Sequence, residues 1–148
     1  MKAVIKIGKA RAILFFLFVI PYIICIAFVI VPFLRNEIGN EALTGLIVRV
    51  TAIYLVPVGI FTGSIIQQKK LRKRSVPNNA YWITLVLSLI WNILIVWRII
   101  YYSLSYAPDN TIEALDSYLT TVSPAVFALV GGVLTYMFLQ SAEKPPAA

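Results

Sequence analysis

The sequence predicts an all-α integral membrane protein with four transmembrane helices, and two observations predict it. The 148 residues are 60 % hydrophobic with a mean hydropathy of +0.87, whereas soluble domains are roughly 45–50 % apolar. The apolar residues lie in four long runs without strand-like alternation. Only a helix or a closed barrel satisfies its own backbone hydrogen bonds in lipid. Little chain remains outside the runs, so we expect residues 1–148 to form one domain.

The predicted spans cover residues 12–34, 42–66, 80–104 and 117–139. Each has about 22 to 25 residues, or about 33–37 Å as a helix, which is enough to cross a hydrocarbon core of about 30 Å. The first run follows a basic start and could be taken for a signal peptide. It is longer than the roughly 7–15 residues of a typical signal core and ends without a cleavage site. We therefore interpret it as a retained anchor.

The distribution of charge predicts the orientation of the chain. The segments before the first span, between the second and third, and after the fourth carry most of the Lys and Arg, while the other two loops carry Arg35 and five acidic residues. Lys and Arg concentrate on the cytoplasmic side, so both termini are predicted to be cytoplasmic, in a bacterial or archaeal plasma membrane by default. The net charge of +7 then reflects topology and predicts no nucleic-acid partner.

One loop contains a dense basic run, which consists of Lys69, Lys70, Arg72, Lys73 and Arg74. Basic side chains near a membrane surface attract anionic headgroups by about 1 kcal/mol each. We interpret the run chiefly as a topology determinant in contact with lipid headgroups. A specific lipid or protein site is the alternative.

Arg49 and Arg98 are the only charged residues inside the four predicted spans. A charge at membrane depth costs at least about 2.5–3.5 kcal/mol, so one that is present usually has a partner or a function. Both arginines are expected near the end of the bundle that carries the acidic loops, where each can snorkel outward or form an ion pair. The acidic candidates are Glu41, Asp109, Glu113 and Asp116. The functional alternative is a two-arginine clamp for phosphate or carboxylate, which suits the planar guanidinium group.

Asn92 is the strongest polar candidate on the third predicted span. It follows Thr84 and Ser88 at four-residue steps, which places the three side chains on one helix face. Asn92 therefore either extends a polar interior toward the membrane midplane or makes a hydrogen bond between helices.

Small residues form a seam on the second span and another on the fourth. The first seam comprises Gly45, Arg49, Ala52, Val56, Gly59 and Gly63; the second comprises Ser117, Thr121, Pro124, Ala128, Gly131 and Thr135. Both follow a 4-3-4-3-4 spacing, which aligns them on one helix face. Small residues let membrane helices approach closely. We predict that the two helices contact each other through these seams, or that one seam faces a second copy. Ile53 is expected to face lipid.

The two seams are separated by a constant offset of 72 residues, which suggests two tandem helical hairpins related by duplication. Asn110, three residues before Glu113, has the spacing of a capping box and predicts a helix start near Thr111. Pro21, Pro57 and Pro124 lie within spans, where each removes a backbone donor and favours a kink.

The residues that are missing exclude several function classes. The chain has no His and a single Cys, Cys25, so His-based metal and haem sites and a paired-cysteine redox site are excluded. No carboxylate lies within the predicted spans, so the usual proton relay of a pump is absent. No phosphate-binding loop and no nucleophile–base pair are present. The sequence predicts no enzyme and no cofactor.

Two functions remain. The first is a structural or accessory subunit of a membrane complex, or a self-associating bundle, with membrane lipids and other membrane subunits as partners. The second is a small carrier or channel for an anionic or lipid-linked solute, bound by Arg49 and Arg98. A membrane-permeabilising or signalling effector is a third class that no particular residue supports. Co-purification of partners would favour the first, and loss of transport on Arg49→Gln would favour the second.

Overall fold

The structure is a computed structural model that describes residues 4–66, 75–105, 107 and 110–138. Its main helices are α1 (Ile7–Leu34), α2 (Asn40–Ile66) and α3 (Asn78–Leu104), followed by α4 (Ile112–Ser117), a π-helical turn (Tyr118–Val122) and α5 (Ser123–Phe138). The last three are continuous along the chain, and we refer to them together as the fourth helix. Four helical segments, Gly8–Leu34, Asn40–Thr62, Asn78–Leu104 and Ile112–Thr135, are long and apolar enough to cross a membrane. The prediction of four such helices is confirmed.

Two short strands were not predicted. β1 (Val4–Lys6) pairs antiparallel with β2 (Ser75–Pro77), with Ile5 opposite Val76. Strands of three residues are too short to show a period-2 pattern, and Pro77 cannot donate to the ladder. The pairing brings the start of the chain to the same end of the bundle as the start of α3. We call this the strand end. The opposite end, which carries the 35–39 turn, the end of α3 and the start of the fourth helix, is the loop end.

The first helix begins earlier than the sequence predicted. It starts at Ile7 instead of residue 12, so Arg11 belongs to the helix and not to a basic arm. Arg11 is buried, with 5 % of its surface exposed. At the other end, the Glu37 amide bonds the Pro32 carbonyl and the Asn36 amide bonds the Phe33 carbonyl. This is a Schellman motif in which Asn36 adopts a left-handed φ of 58°.

The helices form a ring in the order α1, α2, fourth helix, α3, because α1 packs against α2 and α3, and the fourth helix packs against the same two. The two sequential hairpins are therefore present as packed pairs. A two-fold axis through the bundle centre would place α1 opposite α3, whereas the structure places them side by side. A duplication of the hairpin stays a prediction, but the hairpins are not arranged about such a central axis.

An aromatic cluster fills the centre of the ring. Trp91 of α3 is fully buried, and its ring centroid lies 5.6 Å from that of Phe18 on α1, 5.1 Å from that of Tyr54 on α2 and 5.4 Å from that of Phe127 on the fourth helix. The indole Nε1 donates to the Ser123 carbonyl at 3.2 Å. One side chain thus links all four helices through ring contacts worth about 0.5–1.5 kcal/mol each beyond burial.

Candidate arginine sites and the groove between α2 and the fourth helix

Arg49 forms an ion pair with Asp116. The contact joins Nη1 of Arg49 on α2 to Oδ1 of Asp116 in the first turns of the fourth helix. The Arg49 side chain is 44 % exposed and that of Asp116 is 29 % exposed. The fourth helix begins at Ile112, one turn before the predicted span, which is why an acidic residue is available at this depth. Of the candidate acids that the structure describes, which leave out Asp109, Asp116 is the one paired with Arg49.

Arg98 has a different, uncharged partner. Its Nη1 donates to Oδ1 of Asn110 at 2.9 Å, and its guanidinium lies 5.7 Å from the centroid of the Tyr101 ring. The Asn110 amide in turn donates to the carbonyls of Tyr101, Tyr102 and Ser105 at 2.8–3.1 Å. Asn110 therefore satisfies carbonyls at the end of α3, where helical carbonyls lack intrahelical partners, and Arg98 holds the Asn110 side chain through its Oδ1.

This arrangement bears on two predictions. Asn110 does not cap the fourth helix: Thr111 does, because its hydroxyl accepts from the Ala114 amide at 3.2 Å. The predicted start near Thr111 is confirmed, with a different capping residue. The two arginines have separate partners among the described residues, and a two-arginine clamp for an anion stays a prediction.

A groove opens between α2 and the fourth helix beside Arg49. Its free volume is about 360 Å³, within the roughly 300–1,000 Å³ typical of ligand pockets. Ala52, Ile53 and Val56 line one wall below Arg49, and Leu119, Thr120, Ser123, Pro124 and Phe127 line the other. Ile53, expected to face lipid, is only partly exposed and faces this groove. The groove is thus apolar with a charged pair at its loop end.

The π-helical turn shapes the groove wall. The Ser123 amide donates to the carbonyl of Tyr118, five residues earlier. Pro124 follows directly, has no amide hydrogen, and its ring would clash with the carbonyl four residues before it. The wider π turn displaces that part of the backbone, and such turns are frequent at functional sites. The proline at position 124 is the signal that could have predicted this local change.

Three buried polar side chains lie near the centre of the bundle. Thr84, Ser88 and Asn92 are all buried on one face of α3. The Asn92 amide donates to the Ser88 carbonyl at 2.8 Å, which is within its own helix and not between helices as predicted. Among the described residues, Asn92 Oδ1, Ser88 Oγ and Ser123 Oγ make no hydrogen bond. Of these three residues with an unbonded side-chain oxygen, Ser123 is the one that lines the groove.

The small-residue seams do not pack against each other. Ala52 and Gly59 of α2 are exposed, and so is Ala128 of the fourth helix, while Gly45 and Gly131 are partly exposed. A Cβ added at Gly45 or Gly59 would meet nothing within 4 Å, and at Gly131 it would meet only the Phe127 ring of its own helix, at 3.2 Å. The first form of the seam prediction is therefore wrong: the seams face outward, since the helices separate at the groove. Contact with a second copy stays a prediction.

Some of the predicted residues lie outside the part of the chain that the structure describes. The basic run Lys69, Lys70, Arg72, Lys73 and Arg74 lies outside the described residues, and so does the Gly63 side chain. Arg11 is the buried charge that sequence reasoning missed. Its position at i−3 to Leu14 and i−7 to Phe18, both fully buried, is the helical spacing that could have placed it on the inward face.

Within the described ranges, no group of three or more His, Cys, Asp or Glu side chains lies close enough to hold a metal ion. Comparison with protein-family models, with curated proteins and with solved structures finds no match for this chain.

Proposed function

We propose that this protein is a non-enzymatic assembly protein of the membrane, which binds a transmembrane helix of a second copy or of another subunit. The binding surface, which we call the small-residue surface, consists of Gly59 on α2 and Ala125, Ala128 and Gly132 on the fourth helix. All four are exposed. The observation that carries the proposal is the exposure of glycine and alanine on these two helices.

The outward face of α3 shows what a lipid-facing surface looks like in the same molecule. Its exposed apolar side chains are all large: Trp82, Ile83, Val86, Leu89, Ile90, Ile93, Leu94, Trp97, Tyr101 and Leu104. Large side chains suit contact with fluid acyl chains, which conform to any shape. A flat glycine and alanine surface gains little from lipid but allows a second backbone to approach closely, and close packing drives helix association in membranes.

Space is available for such an approach. A Cβ built on Gly59 or Gly132 meets no atom of the described residues within 4 Å, so packing among those residues does not require either glycine. A partner helix on this surface would give their small size a role.

The proposal is tested by energy transfer between donor-labelled and acceptor-labelled copies in bilayers, diluted with lipid, together with mass spectrometry of proteins co-purified from native membranes. If the partner is a second copy, we expect Gly59→Leu and Ala128→Leu to lower the apparent affinity obtained from energy transfer by at least tenfold. If the partner is another subunit, we expect both variants to lose the co-purified subunit. Ala27→Leu is the matched control, because Ala27 is exposed on α1, diagonally across the ring from the fourth helix. Equal behaviour of Ala128→Leu and Ala27→Leu would contradict the proposal.

A further inference from the structure

We infer that the groove between α2 and the fourth helix binds one phospholipid, with an acyl chain between the helices and the phosphate on Arg49. This inference is independent of the proposed assembly function. The groove occupies the loop-end half of the interface, from Arg49 to Val56 and from Leu119 to Phe127. The small-residue surface begins further along α2, at Gly59, and its residues on the fourth helix, Ala125, Ala128 and Gly132, do not line the groove.

Arg49 has hydrogen-bond donors to spare. A guanidinium carries five N–H donors in one plane, and a carboxylate engages at most two of them in a fork. Asp116 contacts Arg49 through Nη1, and the arginine side chain remains 44 % exposed at the mouth of the groove. The remaining donors suit the oxygens of a phosphate, which accept charge-assisted hydrogen bonds. The depth is appropriate, since a helical arginine at this position reaches toward the headgroup layer.

The groove below Arg49 fits the rest of the molecule. Its walls are formed by Ala52, Ile53 and Val56 on one side and by Leu119 and Phe127 on the other. Such walls suit a hydrocarbon chain. Ser123 is the exception: it is 2 % exposed, it lines the groove, and its hydroxyl has no hydrogen-bond partner among the described residues. It lies seven residues beyond Asp116, about 10 Å along the helix, where a hydroxyl could donate to an acyl ester carbonyl below a phosphate on Arg49.

A phospholipid matches this pattern better than a protein helix. The partner must bring an anionic group to the loop end and only apolar groups further in. In a second copy the carboxylate at this depth, Asp116, is already paired with that copy's own Arg49, so its helix brings no free anion to the groove. An anionic or zwitterionic phospholipid brings both parts on one molecule, and it is always present in the membrane.

The fluorescence of Trp91 can report whether an acyl chain occupies the groove. Trp91 is fully buried behind the groove, beside Phe127 and hydrogen-bonded to the Ser123 carbonyl. The other two tryptophans, Trp82 and Trp97, are 53 % and 67 % exposed and are replaced by Phe, which leaves Trp91 as the only tryptophan. The protein is placed in phosphatidylcholine nanodiscs, and phosphatidylglycerol brominated on its acyl chains is added as a short-range quencher.

We expect brominated phosphatidylglycerol to quench the fluorescence of Trp91. Its quenching should be at least threefold more effective than that of brominated phosphatidylcholine. Ala52→Leu, which fills the groove, should abolish most of the quenching, whereas Ala27→Leu should leave it unchanged. The double variant Arg49→Gln/Asp116→Asn should remove the preference for phosphatidylglycerol without leaving an unpaired carboxylate. Circular dichroism confirms that each variant is folded.

Two results would overturn the inference. The first is equal quenching in Ala52→Leu and in its parent, which would place the acyl chains outside the groove. The second is a disulfide-linked dimer formed by Ile53→Cys in a Cys25→Ala background, which would place a second copy in the groove. The first result does not bear on the assembly function, because Gly59 and Ala128 do not line the groove. The second would move the contact between copies from the small-residue surface to the groove.

Discussion

The two sides of the bundle are built differently. The α1 side is closed: Phe18 and Trp91 pack ring against ring, and the Ser103 hydroxyl of α3 donates to the Phe28 carbonyl of α1 at 2.7 Å. The side between α2 and the fourth helix is open, with a groove of about 360 Å³ and exposed glycines. The central aromatic cluster therefore joins all four helices even though α2 and the fourth helix separate at the groove. The open side is then available for a partner.

The largest effect should come from the closed side. Trp91→Ala removes a fully buried indole, three ring contacts and a hydrogen bond. We expect the free energy of unfolding to fall by about 3–5 kcal/mol, the usual cost of truncating a buried aromatic residue. Reversible unfolding in mixed micelles measures it. Trp97→Ala is the control, since Trp97 is 67 % exposed, and its effect should stay within about 0.5 kcal/mol. Similar losses of unfolding free energy for Trp91→Ala and Trp97→Ala would mean that Trp91 does not lie in a packed bundle centre.

An Ala→Leu substitution should lower the free energy of unfolding more on the closed side of the bundle than on the open side. Ala10 is fully buried, whereas Ala52 is exposed beside the groove. Ala10→Leu forces extra volume into a packed core and should cost about 1–3 kcal/mol. Ala52→Leu enters open space and should change the free energy of unfolding in detergent by no more than about 0.5 kcal/mol. Chemical or thermal unfolding of the pair makes the comparison. A large loss for Ala52→Leu would show that the groove is closed in solution.

Arg98 belongs to the closed part of the loop end, and its partner Asn110 should matter for stability. Asn110→Ala removes the bond to Arg98 and three bonds to carbonyls at the end of α3. We expect a loss of about 1–2 kcal/mol, because single hydrogen bonds contribute about 0.5–1.5 kcal/mol and water replaces some of them. Asn79→Ala, at an exposed position, should be neutral in the same unfolding assay. A neutral Asn110→Ala would remove the capping role.

The ion pair on the open side should show the smallest coupling. Arg49 and Asp116 are both partly exposed, and pairs of this kind contribute about 0.2–1 kcal/mol. A double-mutant cycle with Arg49→Gln and Asp116→Asn should therefore give a coupling free energy below about 1 kcal/mol. A coupling of about 3 kcal/mol or more would indicate a buried pair and a groove whose mouth is closed.

Much of the fold could be predicted from the sequence because hydropathy and length determine membrane spans. Residues 42–66 and 80–104 were predicted for helices that run Asn40–Ile66 and Asn78–Leu104. The start of α1 was missed, since Lys9 and Arg11 are helical but charged. The start of the fourth helix near Thr111 was predicted from the spacing of Asn110 and Glu113 and not from hydropathy. A span defined by hydropathy leaves out charged residues at its ends even when they belong to the helix.

The site was harder to predict than the fold. The seam spacing correctly aligned Arg49, Ala52 and Val56 on one face, because helical periodicity is local. Whether that face is covered depends on how α2 and the fourth helix diverge at the groove, whose wall includes Pro124 and Phe127 after the π turn. This divergence is a tertiary feature. Asn110 shows the same limit: its spacing to Glu113 suggested a cap, but its side chain instead bonds three carbonyls at the end of α3.

The most direct test of an open, partner-binding side is site-specific photocrosslinking in native membranes. A benzophenone amino acid is placed at Ala128, on the small-residue surface, or at Ala27, on α1, and the membranes are irradiated. We expect a covalent product of higher mass from position 128, either a dimer or an adduct with another subunit, and none from position 27. Equal products from both positions, or none from position 128, would contradict binding of a partner at the small-residue surface.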